Sequence, residues 1–444
     1  MKSFDLIIKN GNIVLDNEKI EKNDIGIKGS KIISIDDLSS ASSLQSVDAS
    51  NLHVLPGCID TQVHFREPGL THKEDLFTGS KGAILGGVTG FFEMPNTSPP
   101  TITKNDFEVK VKLAEKKSYC NFSFFVGAAK ENIENLKYLE RLPGCCGVKI
   151  FMGSSTGDLL VEDDESLRKI FLSVSRRISI HSEDEYRLRD RKNIIENPSV
   201  TVHDHEVWRD NISALNSTKR LIEIAREVKR KIHILHISSE DELKLIAKNK
   251  DLISAEVTPQ HLFFHSPDCY DNIGTLAQMN PPIRGKKHQD DLWKAIKNNI
   301  VDIIGSDHAP HTLEEKKRQY PNSPSGMTGV QTLVPILLDF VNKDKLSIFD
   351  LVKFTSTNPS RYFKIKDKGL IKVGYDADFT IVDLNKTRVI ENNWIASKAG
   401  WTPYDGLKVM GWPILTIING KVIMREDQVF GKPEGKKFIF SDTI

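Results

Sequence analysis

The side chains of this sequence that could do chemistry follow directly on short apolar runs. They are Asp60 and His64 after CI, Lys149 within GVKIFM, His181 after ISI, His236 within HILHIS, and Asp307 after DIIGS. Imidazole and carboxylate groups together are the ligand set of Zn²⁺ or a similar divalent ion. A single histidine of this kind is more often a hydrogen-bonded core or surface residue. Six such side chains behind five apolar runs are hard to attribute to chance, so the pattern predicts a metal centre.

Asp307 lies in the segment IIGSDHAPH and has two interpretations. In one, Ser306 and Asp307 are ordinary caps at the start of a helix. In the other, Asp307 sits on the metal, close enough to take a proton from bound water and pass it to a leaving nitrogen. The apolar run before it, and His308 and His311 after it, favour the catalytic interpretation.

Lys149 is the least expected member of the set, because a bare ammonium inside a buried strand costs a great deal of free energy. It is either a paired or snorkelling lysine, or a lysine of lowered pKa that reacts with CO₂ to give a carbamate bridging two cations. Spacing alone does not decide between these alternatives.

These residues can meet only if the elements that carry them bring them together. From residue 53 onward, short β-rich runs alternate with helix-like segments such as Lys104–Lys117 and Ser217–Lys229, a pattern typical of an α/β fold with a parallel sheet. Eight runs favour a closed (β/α)₈ TIM barrel, whose strands all end at one mouth. The runs are His53–Ile59, Val88–Met94, Asn121–Val126, Gly147–Met152, Ile178–His181, Ile232–Ile237, Ile253–Val257 and Val301–Ser306.

Both ends of the chain have a different pattern, with short alternating strands and turns such as Asn10-Gly11. We expect residues 1–52 and 367–444 to pair into one small β-sandwich domain, and residues 53–366 to form the barrel.

Composition excludes several classes of protein. Lys and Arg number 61 and Asp and Glu 60, which suggests neither a nucleic-acid partner nor an acidic tail. No apolar run reaches the roughly 18 residues of a membrane span, and MKSFDLIIKNGNIVLD is typical of a strand, not of a signal peptide. The five cysteines, at positions 58, 120, 145, 146 and 269, form no regular framework. They indicate reduced thiols in a cytoplasmic protein.

Several longer motifs together resemble the dihydroorotase family, in the cyclic amidase branch of the amidohydrolase superfamily. The resemblance covers nearly the whole chain. Its motifs are DTQVHFREPG (60–69), GGVTGFFEMPNTSPPT (86–101), GVKIFMGSSTG (147–157), ISIHSED (178–184), ILHISS (234–239), EVTPQHL (256–262), QMNPPIR (278–284), IGSDHAPH (304–311) and GYDADFTIVD (374–383).

The resemblance implies a role for each matching residue. The metal ligands would be His64, Lys149 as its carbamate, His181, His236 and Asp307, with Asp307 also the general base and acid. Arg66, Asn96, Asn280 and His311 would hold the substrate carboxylate and ring edge, and Ser325-Gly326 would lie in a loop that closes over the site. An arginine can form paired hydrogen bonds with a carboxylate, and an asparagine amide can match the donors and acceptors along the edge of a cyclic imide. Without the resemblance, Arg66 could equally form an ion pair at the surface, and the two asparagines could equally lie in turns.

Gln62 departs from the family pattern, which is His-x-His after the first strand. A neutral amide is a poor zinc ligand beside imidazole. We therefore expect the first cation to be held by His64, the Lys149 carbamate and Asp307 only, and the second by the carbamate, His181 and His236. The sequence thus predicts one or two Zn²⁺ per chain.

The implied reaction is the reversible cyclisation of N-carbamoyl-L-aspartate to (S)-dihydroorotate in pyrimidine synthesis. One alternative is another cyclic amidase, such as an allantoinase or hydantoinase, although MPNT in place of an allantoinase-like MPLN argues against it. The other is a non-catalytic scaffold for aspartate transcarbamoylase, which only Gln62 favours. The expected partners are the small-molecule substrate and further copies of the chain in a dimer or tetramer, with aspartate transcarbamoylase as a further candidate.

Overall fold

The computed structural model describes residues 3–154 and 159–442, and its strands carry the candidate site. In chain order they are β1 (Ser3–Val14), β2 (Ile20–Lys28), β3 (Lys31–Asp36), β4 (Ser42–Asp48), β5 (His53–Pro56), β6 (Cys58–Val63), β7 (Val88–Glu93), β8 (Asn121–Gly127), β9 (Cys145–Phe151), β10 (Ile178–His181), β11 (Ile232–Ile234), β12 (Ile253–Val257), β13 (Ile303–Ile304), β14 (Phe379–Val389), β15 (Lys408–Ile418), β16 (Lys421–Arg425) and β17 (Gln428–Val429).

Helices fill most of the connections between the strands. They are α1 (Leu76–Leu85), α2 (Lys104–Lys117), α3 (Leu136–Leu139), α4 (Asp164–Ser173), α5 (Glu185–Asp190), α6 (Asp204–Trp208), α7 (Asn211–Val228), α8 (Glu240–Ala247), α9 (Pro259–Phe263), α10 (Asp268–Ile273), α11 (Lys286–Lys297), α12 (Leu313–Lys316), α13 (Leu333–Asn342), α14 (Ile348–Val352) and α15 (Asn358–Phe363). Short 3₁₀ turns occur at Lys130–Asn135, Lys192–Ile194, Gly274–Ala277 and Asn392–Trp394, and a π-helical turn at Lys353–Thr357. Within the two described ranges, no helix is long and apolar enough to cross a membrane.

Strands β6 to β13 form a parallel sheet in sequence order, which confirms the predicted α/β barrel. The sheet closes beyond its last strand, where the N–H of His64 donates to the carbonyl of His308 at 2.7 Å and Val63 bridges His308. The strands are buried on both faces, which explains why they appear in the sequence as unbroken apolar runs. Their carboxyl ends therefore meet at one mouth.

The predicted first strand, His53–Ile59, is two strands that turn into different sheets. β5 pairs antiparallel with β14, whereas β6 pairs with β7 in the barrel. Gly57 separates them, and its N–H donates to the carbonyl of Asp378 at 2.9 Å. A Cβ at Gly57 would lie 2.4 Å from the hydroxyl of Thr89, so only glycine fits this crossing between the sheets. Apolar character alone does not reveal such a break.

Both chain ends join in one nine-stranded sheet, as expected for the terminal β domain. Its order is β17-β16-β15-β14-β5-β1-β2-β3, with β4 added alongside β1. Apolar side chains from both ends, such as Ile8, Ile25, Phe379 and Ile417, form one buried cluster. β5 also lies in this sheet, although its residues follow position 52. The domain bounds 1–52, 53–366 and 367–444 stay predictions.

The amino ends of the barrel strands are closed by the segment at 435–441. The N–H of Phe438 donates to the carbonyl of Phe122 at 2.9 Å, and the rings of Phe438 and Phe440 lie 5.7 and 6.2 Å from that of Phe92. A Cβ on Gly90 would lie only 2.3 Å from the Phe438 ring. This aromatic cluster supports the barrel from the end opposite the mouth.

Replacing Phe438 by alanine should therefore lower the free energy of unfolding by about 3–5 kcal/mol, because a buried ring is lost and the cavity cannot collapse fully. Urea denaturation measures the change. Phe430→Ala is the control, since Phe430 is 42% exposed and should cost far less. Equal, small losses in both variants would show that the segment does not support the barrel.

Candidate metal and substrate site

A cavity opens at the carboxyl ends of the barrel strands. It brings together every residue that the resemblance assigns to metal and substrate except His311, which contacts Arg66. The lining residues are Gln62, His64, Arg66, Asn96, Lys149, Phe151, His181, His236, Asn280, Asp307, Ala309, Ser325 and Gly326. The residues 155–157 that end the GVKIFMGSSTG motif lie outside the described part of the chain.

Two histidines face each other across one side of the cavity. His181 ends β10 and His236 follows β11, and the distance from His181 Nδ1 to His236 Nε2 is 3.0 Å. Both rings are almost fully buried. The other ring nitrogen of His181, Nε2, lies 2.9 Å from the carboxylate of Glu183. Burial, with further contributions from neighbouring cations that include Lys149, lowers the pKa of both histidines, so both rings are neutral near pH 7.

Asp307 and His64 form a second pair on the other side. His64 Nε2 lies 3.3 Å from Asp307 Oδ1, and the side-chain amide of Gln62 donates to the same oxygen at 2.9 Å. The carbonyl oxygen Oε1 of Gln62 is buried and finds no hydrogen-bond partner in residues 3–154 and 159–442. Gln62 is thus an amide donor to Asp307 at the position where the family pattern has a histidine.

Lys149 lies in β9, and its ammonium sits 4.5 Å from the centre of the Phe151 ring. Burial lowers the pKa of Lys149 to about 7, although Asp307 and Glu256 oppose the shift. Among the described residues, no carboxylate forms an ion pair with it. A large fraction of this lysine is therefore the neutral, nucleophilic amine near neutral pH.

The donor atoms fit a divalent cation only if Lys149 takes part. Two ligands of a tetrahedral zinc ion lie about 3.3 Å apart, close to the separations of 3.0 and 3.3 Å in the two pairs. Yet within residues 3–154 and 159–442 no three His, Cys, Asp or Glu side chains form a ligand group. Each pair lacks a third donor, and the oxygens of a Lys149 carbamate would supply it. The residues present therefore fit the cation.

Three residues of the site have left-handed backbone conformations. The φ angles are 62° at Arg66, 39° at His236 and 45° at Asp307. Positive φ is uncommon outside glycine and costs free energy that the surrounding structure must offset. Strain of this kind clusters at functional sites, which agrees with the placement of all three side chains in one cavity.

Arg66 is a buried cation with part of its hydrogen-bonding capacity unused. Its Nε donates to the carbonyl of Pro310 at 3.2 Å, and Nη2 lies 3.3 Å from His311 Nε2. Nη1 is buried and has no partner within the described part of the chain. Burial lowers the pKa of Arg66 to about 10, so the guanidinium still carries its charge near pH 7. It can therefore bind an anion inside the cavity.

The two asparagines are oriented by histidines. Asn96 Oδ1 lies 2.7 Å from His64 Nδ1, and Asn280 Oδ1 lies 3.0 Å from His205 Nε2. His311 is held in turn, with Lys73 Nζ 3.0 Å from its Nδ1. These contacts keep the amides and the guanidinium at the cavity wall.

Asp60, one of the strand-end groups, does not line the cavity. It accepts hydrogen bonds from the backbone N–H groups of Ser306 at 3.0 Å and Gln62 at 3.2 Å. Burial raises its pKa to about 7. Asp60 therefore joins the first strand of the barrel to the segment that carries Asp307, and positions that segment.

Sequence reasoning missed two residues that contact the site, Glu183 and His205. Glu183 follows His181 by two positions in the ISIHSED motif, a spacing that can mark a carboxylate partner of a ligand histidine. His205 is the contact that orients Asn280. Its sequence neighbourhood carries no such signal.

Comparison with known proteins identifies the family. Residues 53–423 match the model of the amidohydrolase family. The chain is 38% identical over 427 residues to a dihydroorotase from Pyrococcus abyssi, covering 95% of this chain and 96% of that protein. It is 36% identical to a dihydroorotase from Methanosarcina mazei, covering 98% and 97%.

Solved structures agree on the fold. An L-hydantoinase (dihydropyrimidinase) from Arthrobacter aurescens superposes with a TM-score of 0.94 at 28% identity, over 98% of this chain and 99% of that one. A dihydropyrimidinase from Brevibacillus agri gives a TM-score of 0.89 at 26% identity, over the same shares. Family model, full-length relatives and fold together show that the chain belongs to the amidohydrolase family, in its dihydroorotase branch.

Proposed function

We propose that this chain is a dihydroorotase, which catalyses the reversible cyclisation of N-carbamoyl-L-aspartate to (S)-dihydroorotate with loss of water. The observation that carries the proposal is the buried Nη1 of Arg66, which has no partner among the described residues and lies in the same cavity as Asp307 and the paired histidines. A guanidinium in that position matches a ring that bears a carboxylate. The names of the full-length relatives point to the same reaction.

Arg66 would orient the substrate. Its fixed fork lets one carboxylate accept from two N–H groups, and binding energy from this remote group places the ring for reaction. Asn96 and Asn280, held by His64 and His205, would contact the edge of the ring. His311, whose Nε2 lies 3.3 Å from Arg66 Nη2, would contact the substrate beside Arg66.

The metal ligands in this proposal are His64, Lys149 as its carbamate, His181, His236 and Asp307. The carbamate forms when the neutral Lys149 amine attacks CO₂, which makes an N–C bond and releases a proton. One or two zinc ions are expected, and bound metal would supply Lewis-acid polarisation of the ring carbonyl and a nucleophilic water near neutral pH.

Asp307 would move the proton. In the hydrolytic direction, water adds to the ring carbonyl carbon and the carbon–nitrogen bond breaks. Asp307 accepts the proton of the water and delivers it to the departing ring nitrogen, and cyclisation reverses these transfers. Gln62 and His64 hold one carboxylate oxygen of Asp307 at 2.9 and 3.3 Å, which fixes its orientation.

A second candidate is hydrolysis of a cyclic amide without a carboxylate, because the solved structures named above are of hydantoinases and dihydropyrimidinases. Arg66 separates the two candidates, since such a substrate would leave a buried charge unpaired. A non-catalytic scaffold is less well supported, because the cavity retains Lys149, both paired histidines and Asp307.

Location and assembly complete the proposal. All five cysteines are buried and unbonded, as suits a protein of the reducing cytoplasm. A homo-oligomer of two or four chains, and aspartate transcarbamoylase as a partner, stay predictions.

The substrate assignment predicts that metal-loaded protein hydrolyses dihydroorotate in preference to allantoin and hydantoin, assayed side by side. Arg66→Ala should raise KM for dihydroorotate by an amount equivalent to about 2–5 kcal/mol, because the carboxylate loses a buried cationic partner. Arg66→Lys is the matched control, because it keeps the charge but loses the forked guanidinium. Its KM should lie between those of the unmodified protein and Arg66→Ala. Turnover of allantoin alone, or an unchanged KM in Arg66→Ala, would contradict the assignment.

Asp307→Asn should lower kcat by about 10²–10⁴-fold, the usual contribution of a general base. Most of the bound metal should remain, because the other ligands are intact and the side chain keeps its shape. Steady-state rates and elemental analysis on one preparation measure both effects. A near-normal rate would show that Asp307 is not the proton carrier.

Gln62→His should raise the number of metal ions per chain, because an imidazole replaces a weak amide donor next to His64 and Asp307. Elemental analysis after saturation with Zn²⁺ and removal of excess metal gives the count. If the unmodified chain already binds two ions, Gln62 does not limit the first site.

A further inference from the structure

We propose that Glu183 and Arg209 are positioning residues that set the tautomer and the ring orientation of His181 for metal binding. The inference rests on the proposed function, in which His181 and His236 hold a cation, and it adds two residues to that site. Neither residue lines the cavity, so both act through His181.

The first step is the contact between Glu183 and His181. Glu183 is completely buried, and its Oε2 lies 2.9 Å from His181 Nε2. An ionised carboxylate can only accept, so Nε2 carries the ring proton and donates it. The lone pair of a neutral imidazole then lies on Nδ1, the atom 3.0 Å from His236 Nε2. The carboxylate thus presents the metal-binding nitrogen of His181 to the cavity.

Arg209 keeps that carboxylate charged and fixed. Its Nε lies 3.1 Å from each oxygen of Glu183, and Nη2 donates to Oε2 at 2.8 Å. Without this partner a buried carboxylate would pay a large desolvation penalty. Arg209 is anchored as well, because its Nη2 donates to the carbonyl of Ser154 at 2.5 Å and its own carbonyl accepts from Arg284 at 3.0 Å.

A buried ion pair that served only stability would not need to contact a cavity histidine. Replacing such a pair by apolar residues is often neutral or stabilising. Here Oε2 is shared between Arg209 and His181, so the network ends on a nitrogen at the cavity. His236 has no equivalent support, since its Nδ1 is buried without a partner among the described residues. The orientation of the two facing histidines, His181 and His236, therefore depends on the contact between Glu183 and His181.

Glu140 provides a matched control. It is completely buried like Glu183, but it accepts from the backbone N–H groups of Ser175 at 2.8 Å and Arg176 at 2.9 Å. It holds a loop and does not line the cavity. Glu140→Gln therefore perturbs a buried carboxylate without touching His181.

The test measures Zn²⁺ affinity by chelator competition and the visible absorption of the Co²⁺ form, on full-length protein checked for folding by circular dichroism. Glu183→Gln should weaken Zn²⁺ binding about 10–100-fold and alter the Co²⁺ spectrum, as expected for loss of the carboxylate behind a ligand histidine. Arg209→Lys keeps the charge but loses the fork, and should give a smaller loss in the same direction. Glu140→Gln should leave the affinity and the spectrum unchanged.

Unchanged affinity in folded Glu183→Gln would overturn the inference while leaving the proposed function intact. If Glu183→Gln does not fold, Arg209→Lys is the variant that tests the inference. A Zn²⁺ affinity and a Co²⁺ spectrum like those of the unmodified protein would then overturn the inference. An equal loss of Zn²⁺ affinity in Glu140→Gln would show that the effect is general destabilisation, and would overturn the inference. An unmodified chain that binds no Zn²⁺ would instead overturn the proposed function, and this inference with it.

Discussion

The approach of His181 Nδ1 to His236 Nε2, 3.0 Å apart at the carboxyl mouth of the barrel, is the interaction on which the site depends. Two buried imidazole nitrogens at that distance need a proton or a cation between them. Glu183 directs the proton of His181 to the far side of its ring, and burial disfavours a second proton on either ring. A neutral His236 can place its one ring proton on Nε2 and donate it to His181 Nδ1. A divalent cation at the same point would instead accept the lone pairs of both nitrogens.

The remaining charges of the mouth are consistent with that arrangement. Arg66 stays charged although it is buried, and its Nη1, which has no partner among the described residues, is available to an anion such as a substrate carboxylate. Lys149 is close to losing its charge, which suits conversion into a carbamate ligand. Asp307 is held by Gln62 and His64, which fixes the orientation of its carboxylate at the cavity. These three groups suit a cyclic amide substrate that carries a carboxylate.

Much of this arrangement could be predicted from the sequence, because strand ends in a parallel barrel share one mouth. His64, Lys149, His181, His236 and Asp307 all line the cavity as expected. The break at Gly57 could not be predicted, because apolar runs do not record which sheet a strand joins. Asp60 was grouped with the strand-end set, yet it turns away to bind the Ser306 N–H. The contact of His205 with Asn280 joins positions 75 residues apart, which no local pattern reveals.

The most direct test of the account is anomalous diffraction at the zinc edge from crystals of the Zn²⁺-loaded protein. The account predicts a peak about 2.0–2.1 Å from both His181 Nδ1 and His236 Nε2, the usual zinc–nitrogen distance. Density for a carbamate on Lys149 should reach the same ion. A map with no peak between the two histidines, in protein that hydrolyses dihydroorotate, would contradict it.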